Sequence, residues 1–233
     1  MSDNKEIWVF IEQYHNEVAD VSWELLGEAA KLAPAIKAKT AAIILGKNIN
    51  TFVKETIAYG ADKVYTIDNP ILGDYQTETY SKAFLKLAKK YKPEIILLGA
   101  TITGRDLASA VATKLETGLT ADCTALEINE ETKFLWQTRP AFGGNVMATI
   151  ICKLKRPEMA TVRPRVMEMP TADFKREGEI IREYFTLDEE SLLARVLDFI
   201  PADNTDAAQI EKAEIIVAAG RGIGSADNFG LLR

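Results

Sequence analysis

Along the first hundred residues, short apolar blocks alternate with longer stretches in which apolar positions recur every three or four residues. The blocks IWVFIEQY, TAAIILG, KVYTI and EIILLGA are too short for ordinary helices, and three are near-continuous runs of isoleucine, valine and leucine. Such runs predict strands covered on both faces. The intervening VSWELLGEAAKLA, NINTFVKETIAYG and TYSKAFLKLAKKYK carry the helical period. Strand and helix in alternation predict right-handed crossovers, hence an α/β fold: a mostly parallel sheet with helices on both faces. A fourth helix is predicted over RDLASAVATKLETG, with Leu107, Ala110, Val111 and Leu115 on one face and Gly118 at its end.

After this helix the pattern changes. TALEIN, KFLWQTRPA, GNVMATIICK and MATVRPRVM are strand-like segments joined by short turns, which predict an antiparallel extension edging the parallel sheet. The compact α/β unit is expected to run to about Met167. The mixed-charge stretch beyond it reads as a peripheral strand and then a linker. AEIIVAAG then predicts a fresh buried strand leading into the glycine-rich GRGIG. The resulting division is a scaffold domain over 1–200, a linker or hinge over 201–212, and the start of a second domain over 213–233. The connector Asp203 to Lys212, or the glycine-rich turn beyond it, is the expected protease target.

Composition narrows the partners. With 28 basic and 34 acidic side chains the net charge is −6, and no dense basic block is present, so nucleic acid is not an expected partner. The start MSDNKEIWVF lacks a secretory leader pattern, and no run approaches the roughly 20 apolar residues that span a bilayer. Together with only two cysteines, this predicts a reducing cytoplasm and no membrane insertion.

Three loops could bind anions. LLGATITGRDLASA runs from a strand into a helix start, with Thr103 and Asp106 spaced as a capping box. Simple capping is the plainer reading, because the loop has no lysine and Asp106 repels an anion, partly offset by Arg105. In RPAFGGNV, Gly143 and Gly144 read as a hairpin turn or bulge. That leaves Arg139 unexplained; with Arg163 and Arg165 it sets fixed positive charge at one sheet edge, unless all three serve surface ion pairs. The glycines Gly220, Gly222 and Gly224 follow a strand but miss the dinucleotide fingerprint, which has Ser225 where glycine is required.

A self-contained catalytic site does not emerge. His15 is the only histidine, which argues against imidazole catalysis and multi-histidine metal sites. Cys123 and Cys152 read as small packing residues, and Trp8, Trp23 and Trp136 as core or interface anchors. No catalytic or metal-ligating residue is assigned.

Taken together, GATITGRDLASAVATKLETGLTADCT, TRPAFGGNVMATI, TVRP and AAGRGIGSADNFGLL resemble, in order and over essentially the whole chain, the alpha subunit of electron transfer flavoprotein. The resemblance implies an N-terminal domain of adenine nucleotide alpha hydrolase type that scaffolds the assembly, followed by the first strand and turn of a truncated FAD-binding domain. Arg221 and Gly222 match the family's arginine–glycine pair at FAD. The partner implied is a beta subunit of similar fold that binds AMP or a second FAD. RPAFGGN resembles the flavin-bifurcating branch, which implies that Arg139 faces a beta-subunit flavin. Electrons would pass from NADH or a dehydrogenase to acceptors such as an acyl-CoA dehydrogenase-type or other oxidoreductase. The alternatives are an autonomous nucleotide-binding enzyme using the Thr101 to Asp106 loop, and an assembly module alone.

Overall fold

The computed structural model describes residues 5–14, 17–188, 190, 192–194, 196–197, 213 and 215–232. His15 and the 203–212 connector lie outside the described residues. The chain divides into two units, Met1–Arg195 and Val196–Arg233.

The first unit opens with β1 (Glu6–Phe10), β2 (Gln13–Tyr14), β3 (Glu17–Val18), α1 (Asp20–Ile36), β4 (Lys39–Gly46), α2 (Asn50–Ala58) and β5 (Lys63–Asp68). It continues with α3 (Thr77–Tyr91), β6 (Ile95–Gly99), α4 (Ile102–Leu115) and β7 (Leu119–Cys123). The last strands are β8 (Ala125–Ile128), β9 (Leu135–Ala141), β10 (Val146–Ile150), β11 (Glu158–Val162) and β12 (Glu179–Arg182). A seven-stranded sheet runs β12-β5-β4-β1-β6-β11-β7, parallel throughout, as the apolar strand blocks predict.

Strand alternation divides the core in two. On β1, Ile7 and Val9, with Ile11 just beyond it, pack with α1 and α2, while Trp8 and Phe10 pack with α3 and α4. Each helix therefore buries the stripe that its periodicity set aside. Helix α4 ends in a left-handed Glu116 rather than at Gly118; a Cβ at Gly118 would lie 3.2 Å from the Cys152 sulfur, a tight contact that a small shift of that side chain would relieve.

Two expectations need correction. MATVRPRVM does not belong to the antiparallel extension: β11 inserts between β6 and β7 in the parallel sheet. The extension is a separate arm of β8, β9 and β10. Nor do residues 215–220 form a strand; they are extended and exposed before the tight turn Arg221–Ile223 and a second turn over Ala226–Leu232. A strand forms only where another can complete its hydrogen-bond ladder, and none among the described residues pairs with this segment.

One buried polar cluster crosses the start of the sheet. Trp8, Ala41 and Lys63 are in register on adjacent strands β1, β4 and β5. The small Ala41 leaves room for side chains to meet across β4. There Glu6 accepts hydrogen bonds from Lys63 Nζ at 2.8 Å, Trp8 Nε1 at 2.7 Å and Tyr65 Oη at 3.0 Å. Burial alone would depress the Lys63 pKa, but the Glu6 and Glu179 carboxylates outweigh it and the net shift is upward. Burial and the same Glu6 charge push the Tyr65 phenol well above its ordinary value.

Candidate functional site

In an open parallel sheet, ligands enter beyond the carboxyl ends of the strands, where the strand order reverses. Here that point lies between β1 and β6. The Thr101 to Asp106 loop sits there, and its helix start is capped by Thr101, whose hydroxyl accepts from Gly104 N at 2.9 Å. Thr103 is not the cap, contrary to the capping-box spacing. Gly104 is forced by close approach, since a Cβ would lie 2.0 Å from Gly99 O.

Two of the chain's own carboxylates lie at this helix start. Glu12, just after β1, accepts a hydrogen bond from Thr101 Oγ1. Burial raises the Glu12 pKa, and the Thr101 hydrogen bond offsets part of that rise. Asp106, in the first turns of α4, accepts from Tyr75 Oη at 2.6 Å and from Thr77 Oγ1. A phosphate here would displace Glu12 and meet Asp106, so the backbone donors of the helix start are screened from anions. This arrangement opposes the nucleotide-binding enzyme. Sequence reasoning singled out Asp106 but missed Glu12, whose position immediately after a buried strand at the reversal point was the available signal.

The second candidate is the arm. Gly143 and Gly144 have φ of 70° and 92° and form the turn between β9 and β10, as the paired glycines predict. Residues opposite each other in this hairpin share a face, so Gln137, Arg139, Val146, Ala148 and Ile150 lie together. Ala148 stands directly opposite Arg139. The Arg139 Nε is buried without a hydrogen-bond partner, and so is Oε1 of Gln137. Among the described residues no carboxylate pairs with Arg139. A guanidinium with no carboxylate partner and its buried Nε donor open fits an anionic or acceptor-rich group supplied from outside this chain.

The other two arginines differ. Arg163 and Arg105 both reach Asp122, at 3.4 Å and 2.6 Å, as surface ion pairs. The Arg165 backbone N–H donates to the Glu24 carboxylate. Cys123 is buried and free, and burial pushes its thiol up to about 11 against the nearby Arg139 charge. Neither cysteine is paired.

In the second unit, Arg221 and Gly222 occupy an exposed turn. A Cβ built on Gly220 or Gly222 meets nothing within 4 Å.

At the arm's root lies a buried titratable group that the sequence did not reveal. Glu158, 0% exposed at the start of β11, accepts the Leu135 N–H at 2.9 Å. Leu135 is in the phase that points toward β10, but β10 has already ended, so the carboxylate takes the place of a strand partner. Burial lifts the Glu158 pKa to about 7, opposed by Arg156 and the Leu135 N–H and reinforced by Glu94. Its other oxygen has no well-aligned hydrogen bond, although Arg156 lies 3.2 Å away. A carboxyl with a raised folded pKa favours the fold when protonated. Its contribution is therefore fully present below the unfolded pKa and is lost as pH rises to about 7. Denaturant titrations are expected to show a pH-dependent loss on the order of 3 kcal/mol across this window, largely abolished in Glu158→Gln. An equal slope in wild type and variant would remove Glu158 as its source.

Comparison with known proteins bears on the whole chain. An electron transfer flavoprotein domain model matches residues 7–186. The chain is 48% identical over 233 residues to the electron transfer flavoprotein subunit alpha of Thermoanaerobacterium thermosaccharolyticum, covering 100% of this chain and 70% of that protein. It is 46% identical over 232 residues to protein FixB of Azorhizobium caulinodans, covering 98% and 63%. Against the electron transfer flavoprotein subunit alpha of Megasphaera elsdenii it is 42% identical over 229 residues, covering 98% and 68%. The chain thus spans roughly two thirds of the length of these relatives. With a matching parallel-sheet fold and this level of identity along its length, the chain belongs to the electron transfer flavoprotein family, alongside the alpha subunits and FixB proteins.

Proposed function

We propose that the chain is the alpha side of a two-subunit electron carrier that takes electrons from NADH or a dehydrogenase and passes them to acceptor oxidoreductases, including acyl-CoA dehydrogenase-type enzymes. The observation that carries this reading is the contrast between two places. Glu12 and Asp106 place carboxylates at the sheet's own ligand crevice, whereas the buried Nε of Arg139 on the arm has no hydrogen-bond partner. The first unit then serves as scaffold, and its redox groups are held elsewhere: one FAD mostly on polypeptide outside these 233 residues, and AMP or a second FAD in a beta subunit.

Bound flavin would supply one- and two-electron transfer. Toward it, Arg139 presents a permanent cation to the beta-subunit flavin, a role that belongs to electron bifurcation, and Arg221 with Gly222 contributes to the FAD of the second unit. The division into a scaffold over 1–200, a hinge over 201–212 and a flavin domain beginning at 213 follows from the same reading, with the hinge letting the FAD domain move between donors and acceptors.

The test is the flavin count of the complex formed by full-length subunits. Two FAD per heterodimer supports the bifurcating assignment. One FAD plus AMP would leave the electron carrier but remove the second flavin.

A further inference from the structure

Three oxidisable rings touch one another inside the first unit. Trp8 on β1 lies 5.2 Å from Tyr65 on β5, Tyr65 lies 4.5 Å from Tyr91 at the end of α3, and Trp8 lies 6.4 Å from Tyr91, centroid to centroid. Burial is graded along the series. Trp8 and Tyr65 are 0% and 1% exposed, whereas Tyr91 is partly exposed at the helix end. Packing explains the contact between the rings but not the disposition of their polar hydrogens.

Taking one electron from a phenol or an indole turns its O–H or N–H into a strong acid, so the loss is easiest where a base already holds that proton. All three rings meet this condition. Trp8 Nε1 donates to Glu6 at 2.7 Å, and Tyr65 Oη donates to the same carboxylate at 3.0 Å. Tyr91 Oη donates to Glu183, which follows β12 and is itself partly exposed. Burial first, and then the adjacent carboxylate, raise the pKa of both phenols, so each must give up its proton together with its electron. Lys90 Nζ lies 5.1 Å from the centre of the Tyr91 ring and pairs with Glu183. That cation disfavours a positively charged ring, which ties electron loss at Tyr91 to proton transfer onto Glu183. A second indole–phenol pair provides the contrast: Trp23 and Tyr59 stack at 4.5 Å with 12° between their planes, yet among the described residues no carboxylate accepts from the Tyr59 hydroxyl.

We propose that Trp8, Tyr65 and Tyr91 form a one-electron relay that carries an oxidising equivalent from the core to the surface, with Glu6 and Glu183 as proton acceptors. A one-electron radical oxidant removes an electron from Trp8, and the indole proton passes to Glu6. Trp8 then recovers an electron from Tyr65 and its proton from Glu6, which takes the Tyr65 proton in exchange. Tyr65 is restored in turn by an electron from Tyr91 and the proton on Glu6, while the Tyr91 proton moves to Glu183 and on to water. The net loss is one electron and one proton from Tyr91, which a solvent thiol returns as a hydrogen atom. The relay does not depend on the two-subunit reading.

Laser photoionisation of tryptophan in the 233-residue chain, with the ejected electrons trapped by an added scavenger, tests this. Part of the indole-radical absorbance is expected to decay with first-order, concentration-independent kinetics as tyrosyl-radical absorbance rises. Trp8→Phe should abolish that phase, and Tyr91→Phe, which keeps the ring packing, should remove most of the tyrosyl yield. Glu183→Gln retains a hydrogen-bond acceptor but no base, and should slow the rise by about tenfold or more. A phase that survives Trp8→Phe, or a rise in Glu183→Gln as fast as in wild type, overturns the proposal. So does a trapped radical whose paramagnetic resonance spectrum disappears in Tyr59→Phe and persists in Tyr91→Phe, because ring contact alone then decides where the oxidising equivalent goes.

Discussion

Replacing Glu6 with alanine is expected to lower the unfolding free energy by about 3–5 kcal/mol, the usual consequence of leaving one member of a buried ion pair behind. The carboxylate is the common acceptor for Lys63, Tyr65 and Trp8. Without it the Lys63 ammonium stays buried with only Glu179, at 3.7 Å, for company. Two polar hydrogens, on Tyr65 and Trp8, lose their acceptor in the same step. The double variant Glu6→Leu with Lys63→Met should recover most of the loss, because apolar replacement of a buried pair removes the desolvation cost together with the attraction. Urea unfolding of the single and double variants checks this. A Glu6→Ala midpoint equal to wild type would show that the cluster is not dry in solution.

If the beta subunit holds the second flavin proposed above with Arg139 ~4 Å from its ring, Arg139→Ala in the assembled heterodimer is expected to shift that flavin's potential downward by about 0.17 V, since the guanidinium then contributes ~4 kcal/mol at an effective dielectric of ~20 to a ring gaining one negative charge, and that energy converts to the stated potential for a one-electron step. Arg139→Lys should retain much of the shift, since a charge remains, but lose the planar hydrogen-bonding geometry. The guanidinium does not titrate in the physiological range, so the difference between wild type and the Arg139→Ala variant should be independent of pH between about 6 and about 9. Potentiometric titration of the variant reads the effect directly. An unchanged potential would detach Arg139 from the flavin while leaving its place on the arm intact.

The parallel core was legible because burial on both faces writes itself into sequence as continuous apolar strands, and each helix shows its stripe. Strand adjacency was less so. β11 lies next to β6 although the arm intervenes in sequence, and nothing local in EMATV tells a parallel insertion from an antiparallel one. β7, with the sequence LTADC, was missed because its polar residues and left-handed Asp122 (φ 67°) break the apolar run.

At the candidate site, Arg139 was visible as an arginine that the neighbouring glycines did not explain. Glu6, Glu12 and Glu158 were not visible as buried groups. A lone glutamate beside a strand reads as solvated, and only the partners brought by distant parts of the chain, Lys63 and Tyr65 for Glu6, Thr101 for Glu12 and Leu135 for Glu158, make its burial tolerable.

The central claim is that this polypeptide scaffolds redox groups which it does not hold alone. The most direct test is the bound flavin and AMP content of the purified 233-residue chain, measured after dialysis against each. The account predicts substoichiometric amounts of both for the chain by itself and stoichiometric flavin once full-length alpha and beta subunits are assembled. One equivalent of flavin or AMP retained by the isolated chain would contradict it.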